Sequence, residues 1–513
     1  MAIQKKFDVS DKYIKWLSEL DKSSGPIVGG KGANLAEMYN SKMPVPPAFV
    51  VTAQAFQAFI ERAGLKKIIQ DIIEQTDVEE TSQLEKNAKK IRNHILDAEI
   101  PKEMVEEIEE AYDILSSDKE VEKAKTSSRI SSTALEILQN SKEPIFVAAR
   151  SSATTEDLAT ASFAGQQESF TNIKGKEELI KAVKKCFASL YTARAVYYRH
   201  KKGFEKSNAL LAVVVQKMVN SEKSGVMFTQ NPMTLQEELV IEAVFGLGEG
   251  IVSGKILPDH YIITKDLKIQ SKKIANKKIA LIRDSSGKQK EVKLTEQKSK
   301  QIVLTDSEII SLANLGVKIQ NHYKKPQDIE FAIDGENIYI VQSRPITTLG
   351  VDRKISNIQG EILLTGMGAS PGVASGKVRI IESMEDLSQI KEGEVLVTKM
   401  TNPDMVVAMQ KSSAVVTDEG GATAHAAIVS REMGLPAVVG TEEATKKLKV
   451  LTSIHNITEK PKGFYFYDLS GLSIGVKRIE EQFPIKTLTV YLLVELQSIY
   501  QKLKSNFPLY NIE

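Results

Sequence analysis

The strongest chemical signal in the sequence is one histidine in an unusual setting. His425 lies in Asp418-Glu-Gly-Gly-Ala-Thr-Ala-His-Ala-Ala-Ile-Val-Ser-Arg-Glu-Met-Gly-Leu-Pro436. Gly420 and Gly421 allow a tight backbone turn. Thr423 is a good N-cap for a helix beginning near Ala424. Gly434 suits a left-handed end to that helix, and Pro436 blocks its continuation. His425 is then expected in the first helical turn, where backbone N–H groups and the positive end of the helix dipole favour an anion. Imidazole is also a nucleophile near neutral pH, so a phosphoryl group carried on His425 would be held in that field. A capping or packing histidine is the plain alternative, and the local residues leave both open. His94, His200, His260, His322 and His455 have no comparable sequence setting.

A second set of residues suits polyphosphate. Gly29, Gly30 and Gly32 surround Lys31 ahead of a helical run, offering backbone N–H groups and one ammonium. The spacing is not that of a P-loop, and a plain turn is the alternative. Arg150-Ser-Ser-Ala-Thr-Thr-Glu-Asp157 follows an apolar strand; a guanidinium with hydroxyls at a strand end fits phosphate recognition. Ser162-Phe-Ala-Gly-Gln-Gln-Glu168 reads as a small-residue loop that closes over a ligand, against a surface turn with an ion pair. Asp328-Ile-Glu330 and Gln342-Ser-Arg344 fall on consecutive strand-like runs. Alternation puts Asp328 and Glu330 on one face. Oxygen ligands with a basic neighbour suit magnesium bound to a nucleotide; an edge-strand charge pair is the alternative.

These sites need elements to hold them. The chain has 513 residues, and roughly two to four domains are expected for that length. Apolar residues make up 42% and charged residues 26%, as in soluble globular proteins. Lys plus Arg is 68 and Asp plus Glu is 66, a net charge of +2, which gives no footing for nucleic acid or a membrane surface. The one cysteine, Cys186, excludes an internal disulfide and a cysteine zinc site and points to a reducing, cytoplasmic setting. Residues 1–10 have no apolar signal core, and apolar runs such as 491–494 fall far short of the ~20 residues that span a bilayer.

Along the chain, residues 28–38 read as a glycine-rich turn opening a helix, and 53–60 as a second helix. Residues 81–140 look like a charged helical excursion. Strand-like runs at 145–149, 211–216, 238–243 and 338–342, with a helical pattern at 176–200, indicate a mixed α+β or α/β architecture. Residues 346–362 read as a linker. Beyond it a glycine cluster at 368–376 and strands at 378–381 and 395–397 mark a second domain. Leu488, Leu492, Leu496, Ile499 and Leu503 have the spacing of an amphipathic helix.

Taken in order, residues 28–38, 149–157, 163–168, Gln216-Lys-Met218, Gly225-Val-Met-Phe228, Gly246-Leu-Gly-Glu249, Asp328-Ile-Glu330, Gln342-Ser-Arg-Pro345 and Gly420-Gly-Ala-Thr-Ala-His425 resemble the phosphoenolpyruvate synthase (pyruvate, water dikinase) and pyruvate phosphate dikinase family. The likeness runs from about residue 12 to about residue 449, and the Arg-Ser-Ser-Ala-Thr and Phe-Ala-Gly-Gln-Gln-Glu pair looks like the synthase branch. It implies an α+β and α/β multidomain protein. An ATP-grasp nucleotide domain (1–345) is followed by a hinge (346–362), a swivelling β/α phosphohistidine domain (363–475) and an atypical helical tail (476–513). By motif match, Lys31 and Arg150 grip the ATP phosphates, and Gln216 and Met218 lie at the adenine. Glu330 and Gln342 hold magnesium, with Arg344 at the phosphates. His425 takes a pyrophosphoryl group from ATP, releasing AMP. Water then removes the outer phosphate, and the remaining phosphoryl group passes toward pyruvate to give phosphoenolpyruvate. Thr423 matches a position that regulatory kinases modify in this family.

One departure from the family pattern bears on the last step. The family's pyruvate site lies in a (β/α)8 barrel of ~250 residues, and no such barrel fits after Gly440. The expected partners are therefore ATP, pyruvate as an indirect acceptor, and a separate phosphoenolpyruvate/pyruvate-binding chain. The alternatives are a phosphocarrier, a split phosphotransferase of the phenylphosphate synthase type, or an inactive fragment. The short 346–362 link excludes the rifampicin-type order, in which the acceptor domain lies between the other two.

Overall fold

The structure is a computed structural model. It describes residues 13–117, 144–154, 168–201, 209–232, 236–284, 287–346, 364–370, 372, 374, 376–421, 424–448, 463–468, 474–479 and 490–492. The expected hinge beyond Ile346, the loop 162–167 and Thr423 lie outside these. Two compact units are present: residues 1–221, 283–290 and 332–344 supply the first, and residues 222–282, 291–331 and 345–513 the second. Part of the nucleotide domain expected over 1–345 thus belongs to the same compact unit as the region of His425. Among the described residues no helix is long and apolar enough to cross a membrane.

The first unit is built on strands β1 (Ile14–Trp16), β2 (Ala48–Val51), β3 (Phe146–Ala153), β4 (Ser169–Lys174) and β5 (Leu211–Lys217), in the order β1-β2-β5-β3-β4. Its helices are α1 (Gly25–Asn40), α2 (Ala53–Arg62), α3 (Leu65–Glu74), α4 (Thr81–Asp97), α5 (Lys102–Ser116), α6 (Lys176–Ser189) and α7 (Ala193–Lys201). Antiparallel β3 and β5 pair Ala148 with Gln216, Arg150 with Val214 and Ser152 with Ala212. Successive side chains alternate in direction, so the sheet has two different faces. Val147, Ala149, Ala153, Val213, Val215, Phe49 and Val51 point one way and join Phe56, Phe59, Ile69, Met104, Ile108 and Phe187 in the main core. Each such large side chain stabilises the fold by about 1.5–3 kcal/mol when fully buried. Ala148, Arg150, Ser152, Val214 and Gln216 point the other way.

Helix α1 packs against this second face, and one glycine permits it. Gly29 breaks the helical dihedrals at φ +70°, and a Cβ there would lie 2.3 Å from the carbonyl oxygen of Ser152. Ser152 Oγ donates to Val28 O at 2.8 Å and accepts from the Gly32 amide at 3.2 Å. The turn-then-helix reading of 28–38 therefore holds. Two sequence readings change. Arg150 sits inside β3 rather than at a strand end, because the polar residues that follow the apolar run continue the strand's second face. The helical pattern over 176–200 is two helices, broken at Leu190–Thr192. Cys186 is fully buried with Sγ 3.6 Å from the Ala149 carbonyl. Burial pushes its thiol pKa up, away from the reactive thiolate.

The second unit contains β6 (Lys223–Phe228), β7 (Leu239–Phe245), β8 (Asp259–Ile263) and β9 (Ile269–Lys273), flanked by the short α8 (Glu249–Val252). A ribbon of β10 (Ile279–Arg283) and β11 (Gln289–Lys293) follows. Then come α9 (Glu296–Ser299), α10 (Asp306–Tyr323) and β12 (Gln327–Asp334), of which Gln327–Phe331 belong to this unit; all of β13 (Asn337–Pro345) but Pro345 belongs to the first unit. Strands β12-β6-β7-β8-β9 are neighbours in that order. Helix α10 covers one face, with Gly316 against Met227. On the other, Val226, Phe228, Val240 and Val244 pack with Leu247, Ile251, Ile256 and Leu281.

Under α10 the strand β8 is pinned by a buried charge. The Asp259 carboxylate accepts hydrogen bonds from Lys277 Nζ, from the Ala275 amide at 2.9 Å, from the Val303 amide at 2.8 Å and from Tyr261 Oη at 3.1 Å. Asp259 and Lys277 are both fully buried.

The remainder of the second unit is an α/β layer. Strands β15 (Val378–Ile381), β16 (Val395–Thr398), β17 (Ala414–Thr417) and β18 (Ala437–Val439) run in order, with β15-β16-β17-β18 parallel, and β14 (Thr365–Ser370) is antiparallel to β18. Both faces of the sheet are apolar, as a parallel sheet covered on both sides requires. Val395, Val397, Ala414 and Val416 face one cluster; Leu396, Val415, Ala437 and Val439 face the other. The second cluster includes α11 (Val406–Lys411) and α12 (His425–Met433).

The sheet continues beyond β14 through β20 (Ile474–Ile479), β19 (Gly463–Asp468) and β21 (Val490–Leu492). Strand β20 crosses the boundary expected after 475. The helix expected over 488–503 is contradicted at Val490–Leu492, which pair in parallel with β19. Thr487-Leu-Thr-Val-Tyr-Leu-Leu-Val is rich in β-branched and aromatic residues, and that strand preference wins over the four-residue spacing of its leucines.

The Asp259 network predicts a large stability effect. Asp259→Ala leaves the Lys277 ammonium buried without its carboxylate and should cost about 3–5 kcal/mol in urea unfolding. A change under ~1 kcal/mol would show that the pair does not hold β8 in place.

Candidate active site

In the second unit, His425 stands at the mouth of the parallel sheet. Strand β17 ends at Thr417, the chain turns through Gly420 and Gly421, and α12 begins at His425 itself. Gly420 has φ +114°, a conformation open to glycine and strained for other residues. The helix ends at Gly434 in the left-handed conformation, as its sequence suggests. The N-cap is Ala424, not Thr423, and it offers no side-chain oxygen to the helix. The helical dihedrals start one residue later than the threonine cap would set them. His425 is thus the first helical residue, beside the first-turn amides that suit an oxyanion.

Its partner comes from the neighbouring strand. Thr401 follows the end of β16, and its Oγ1 is 2.9 Å from His425 Nδ1. Thr401 is 3% exposed, so the contact is shielded and fixes the ring. With the proton on Nδ1 donated to Thr401, the lone pair lies on Nε2. Thr401 and His425 both sit at the carboxyl ends of adjacent parallel strands, where open α/β sheets place ligands. Composition and periodicity gave no sign of Thr401, because the contact joins two separate loops.

A polar group on the antiparallel sheet meets this loop. Glu242 on β7 is fully buried and paired in register with His260 on β8, and its Oε1 lies 3.4 Å from His260 Nδ1. A Cβ placed on Gly421 would lie 3.8 Å from Glu242 Oε1 and 3.6 Å from Pro258. A Cβ on Gly254 would lie 3.3 Å from Ala424 Cβ and 3.4 Å from Gly420 Cα. Sequence reading passed over His260; the structure gives it a carboxylate partner and a place beside the His425 loop. Glu330 shares the face of Glu242. Phe331 packs against Gly225, which pairs with Ala243, so alternation turns Glu330 toward the side of Glu242 and His260. Asp328 and Glu330 are half-buried while Ile329 and Phe331 are buried, as the expected alternation requires.

In the first unit, six of the expected residues, Lys31, Arg150, Gln216, Met218, Gln342 and Arg344, lie on or near the second face of the sheet. Lys31 Nζ donates to the Ser151 carbonyl at 3.3 Å, which sets it beside Arg150. Arg150 Nη1 donates to Gln342 Oε1 and to the Val341 carbonyl, each at 3.4 Å. Arg344 lies two residues along β13 from Gln342 and is half-buried. Gln216 shares the face of Arg150. It is 1% exposed, and neither its side-chain oxygen nor its nitrogen has a hydrogen-bond partner. An unsatisfied buried amide costs stability and calls for an explanation. Met218, just past β5, accepts from the Asn172 amide at Sδ, 2.9 Å away. Arg283 stacks on Phe146, 4.4 Å from the ring centroid, and reaches Met218 Sδ at 3.9 Å. Glu330 belongs to the second unit and Gln342 to the first. Among the described residues no cluster of three or more His, Cys, Asp or Glu could hold a metal ion.

Two protein families and several curated relatives match this chain. Residues 25–361 match the family described as pyruvate phosphate dikinase, AMP/ATP-binding domain, and residues 390–455 match the PEP-utilising enzyme, mobile domain. The chain is 49% identical to a probable phosphoenolpyruvate synthase of Archaeoglobus fulgidus, over 85% of this chain and 56% of that protein. It is 46% identical to a phosphoenolpyruvate synthase of Pyrococcus furiosus, over 85% of this chain and 57% of that protein. A probable phosphoenolpyruvate synthase of Staphylothermus marinus is 38% identical over 94% of this chain and 62% of its own length. The chain thus spans a little over half the length of the relatives it matches. On the match across 25–361, joined to the mobile-domain match that contains His425, the chain belongs to the pyruvate phosphate dikinase AMP/ATP-binding domain family.

Proposed function

We propose that this chain is a phosphoenolpyruvate synthase-like phosphotransferase that loads its own His425 from ATP. The observation that carries the reading is the setting of His425. The imidazole is fixed through Nδ1 by buried Thr401, and it opens a helix at the carboxyl ends of parallel strands. In the loading step Nε2 attacks the β-phosphorus of ATP. The N–P bond forms, the bond from the β-phosphorus to the α,β-bridging oxygen breaks, and AMP leaves. Water then takes the outer phosphate, and the remaining phosphoryl group passes toward pyruvate to give phosphoenolpyruvate. The pyruvate step, on a longer form of this protein or on a separate barrel-bearing chain, is part of this proposal. So are a cytoplasmic location and the division into a nucleotide domain (1–345), hinge (346–362) and phosphohistidine domain (363–475).

Lys31 and Arg150 are assigned to the ATP phosphates with Arg344, since three cations lie on or beside one polar sheet face. Gln216 is assigned to the adenine edge with Met218 alongside. Its unsatisfied oxygen and nitrogen form an acceptor and donor pair of the kind an adenine edge complements. Magnesium with ATP fits the donors available. Glu330 offers a carboxylate and Gln342 an amide oxygen, both hard ligands of the kind magnesium takes. When bound, the ion would offset charge on the phosphates. Thr423, two residues before His425, is assigned as a control position: a phosphate there would repel the one His425 receives.

Three outcomes test these assignments. ATP labelled at the β-phosphate should leave acid-labile, base-stable label on the wild-type chain and none on His425→Ala; an unlabelled wild type would sink the proposal. Gln216→Met should raise stability to urea by about 1 kcal/mol, because it removes an unsatisfied buried amide, while weakening AMP binding in calorimetry by about tenfold or more. Equal AMP affinity would remove Gln216 from the adenine. Glu330→Gln should lower the initial rate of magnesium-dependent labelling at least ~100-fold with an unchanged fold, as loss of a charge-stabilising group does; an unchanged rate would displace the metal site.

A further inference from the structure

We infer that Glu242 and His260 form the base that activates water against the outer phosphate of the loaded His425. This rests on the pyrophosphoryl reading above and names the groups for its hydrolytic step. Hydrolysis of a phosphoanhydride by an attacking water needs a proton acceptor near the phosphorus. The acceptor should be oriented by a third group, as imidazole bases commonly are.

Such a pair lies in one place in the second unit. Glu242 is fully buried and His260 is 19% exposed at the side chain. Their side chains meet at 3.4 Å from adjacent strands. With Nδ1–H donated to Glu242 Oε1, the free lone pair of His260 is on Nε2. The strand carrying His260 is held from behind by the Asp259 network, so the ring's direction is set by the backbone. Gly421 lies against Glu242, and Gly254 against Gly420 and Ala424, the residue before His425. Glu330 projects from the same sheet face. The pair is therefore beside the loop that bears the phosphorylated ring, on the face that carries the assigned metal ligand. None of the residues assigned to ATP loading provides a neutral base: Lys31, Arg150 and Arg344 are cations and Glu330 is committed to metal.

In the step, a water oxygen attacks the γ-phosphorus and forms a P–O bond. The bond from that phosphorus to the β,γ-bridging oxygen breaks. The bridging oxygen and its electron pair stay with the β-phosphoryl group on His425. The water proton passes to His260 Nε2, and Glu242 stabilises the imidazolium that forms. Inorganic phosphate leaves, and the base returns its proton to solvent.

His260→Asn is the decisive variant. The asparagine amide stands near the Nδ1 position and can still donate to Glu242, but no base remains at Nε2. The full chain is mixed with ATP labelled separately at the β- and γ-phosphates, and label on protein, AMP and inorganic phosphate are followed in one time course. The wild type should release AMP and phosphate together and keep only β-label. His260→Asn should release AMP at close to the wild-type rate, keep both labels, and release phosphate about 100-fold or more slowly, the usual worth of a general base. Phosphate release at the wild-type rate would overturn the inference. So would an AMP release that falls in step with phosphate release, which would put the pair in loading instead. If His260→Asn does not fold by circular dichroism, His260→Gln is read by the same criteria. A wild type that takes γ-label without β-label and releases ADP in place of AMP removes the pyrophosphoryl reading and this step with it. A normal wild type with a normal variant removes this step alone.

Discussion

A phosphoryl group on imidazole is an anion on a ring that has no fixed positive charge. Whatever carries it must supply donors that do not depend on a counter-ion travelling with it. The start of α12 meets that constraint by geometry. The chain leaves β17, turns at Gly420 in a conformation that disfavours a side chain, and enters the helix at His425. The helix amides then lie where the phosphate would sit. Thr401 completes the arrangement from the end of the next strand. The apolar layers on both sides of the parallel sheet exist in part to hold these two strand ends in register, and α12 is anchored to the sheet by Ala426, Ala427 and Val429.

The first unit solves a different problem with the same device of a two-faced sheet. One face of β3 and β5 is a continuous hydrophobic layer, and that burial supplies the stability. The other face can then carry groups that weaken the fold, including a buried glutamine with neither amide atom satisfied. Such strain is tolerable only where elsewhere the structure is well supported. It also explains why the glycine loop must come so close. Gly29 lets α1 rest on Ser152, which brings Lys31 to the strand that bears Arg150.

What the sequence could disclose followed from range. The break at Gly29, the helix ended by Gly434 and the strand alternation at 328–331 are set by residues within a few positions, and they read correctly. The extension of β3 through Arg150, Ser151 and Ser152 did not, because the polar residues there answer to a second sheet face and not to a turn. Thr423 looked like the cap, yet the helical dihedrals begin after Ala424. The tail leucines had helical spacing, but Val490–Leu492 pair with a strand more than 20 residues away. Thr401 and His260 were invisible for the same reason: their partners are distant in sequence, and only the packed strands bring them together.

A histidine that collects phosphate in one place and delivers it in another must meet the loading site closely and also leave it. Within the second unit, the contacts around its loop suit that demand. They involve Gly254, Pro258, Gly420, Gly421 and Ala424, with Met400 Sδ beside Gly254; apart from Met400 and Pro258 these groups have little apolar area, and none of the glycines has a side chain to hydrogen-bond. Their closeness comes from the absence of side chains, so it gives precise approach with little adhesion. The cation–π contact of Arg431 over Phe228, 5.9 Å from the ring centroid, adds only about 0.5–2 kcal/mol. Larger side chains at these glycines would both push the loop away from Glu242 and, where they fitted, hold it too long. Under the proposed function, glycine here would serve the reach of the loop and its release by the same physical property.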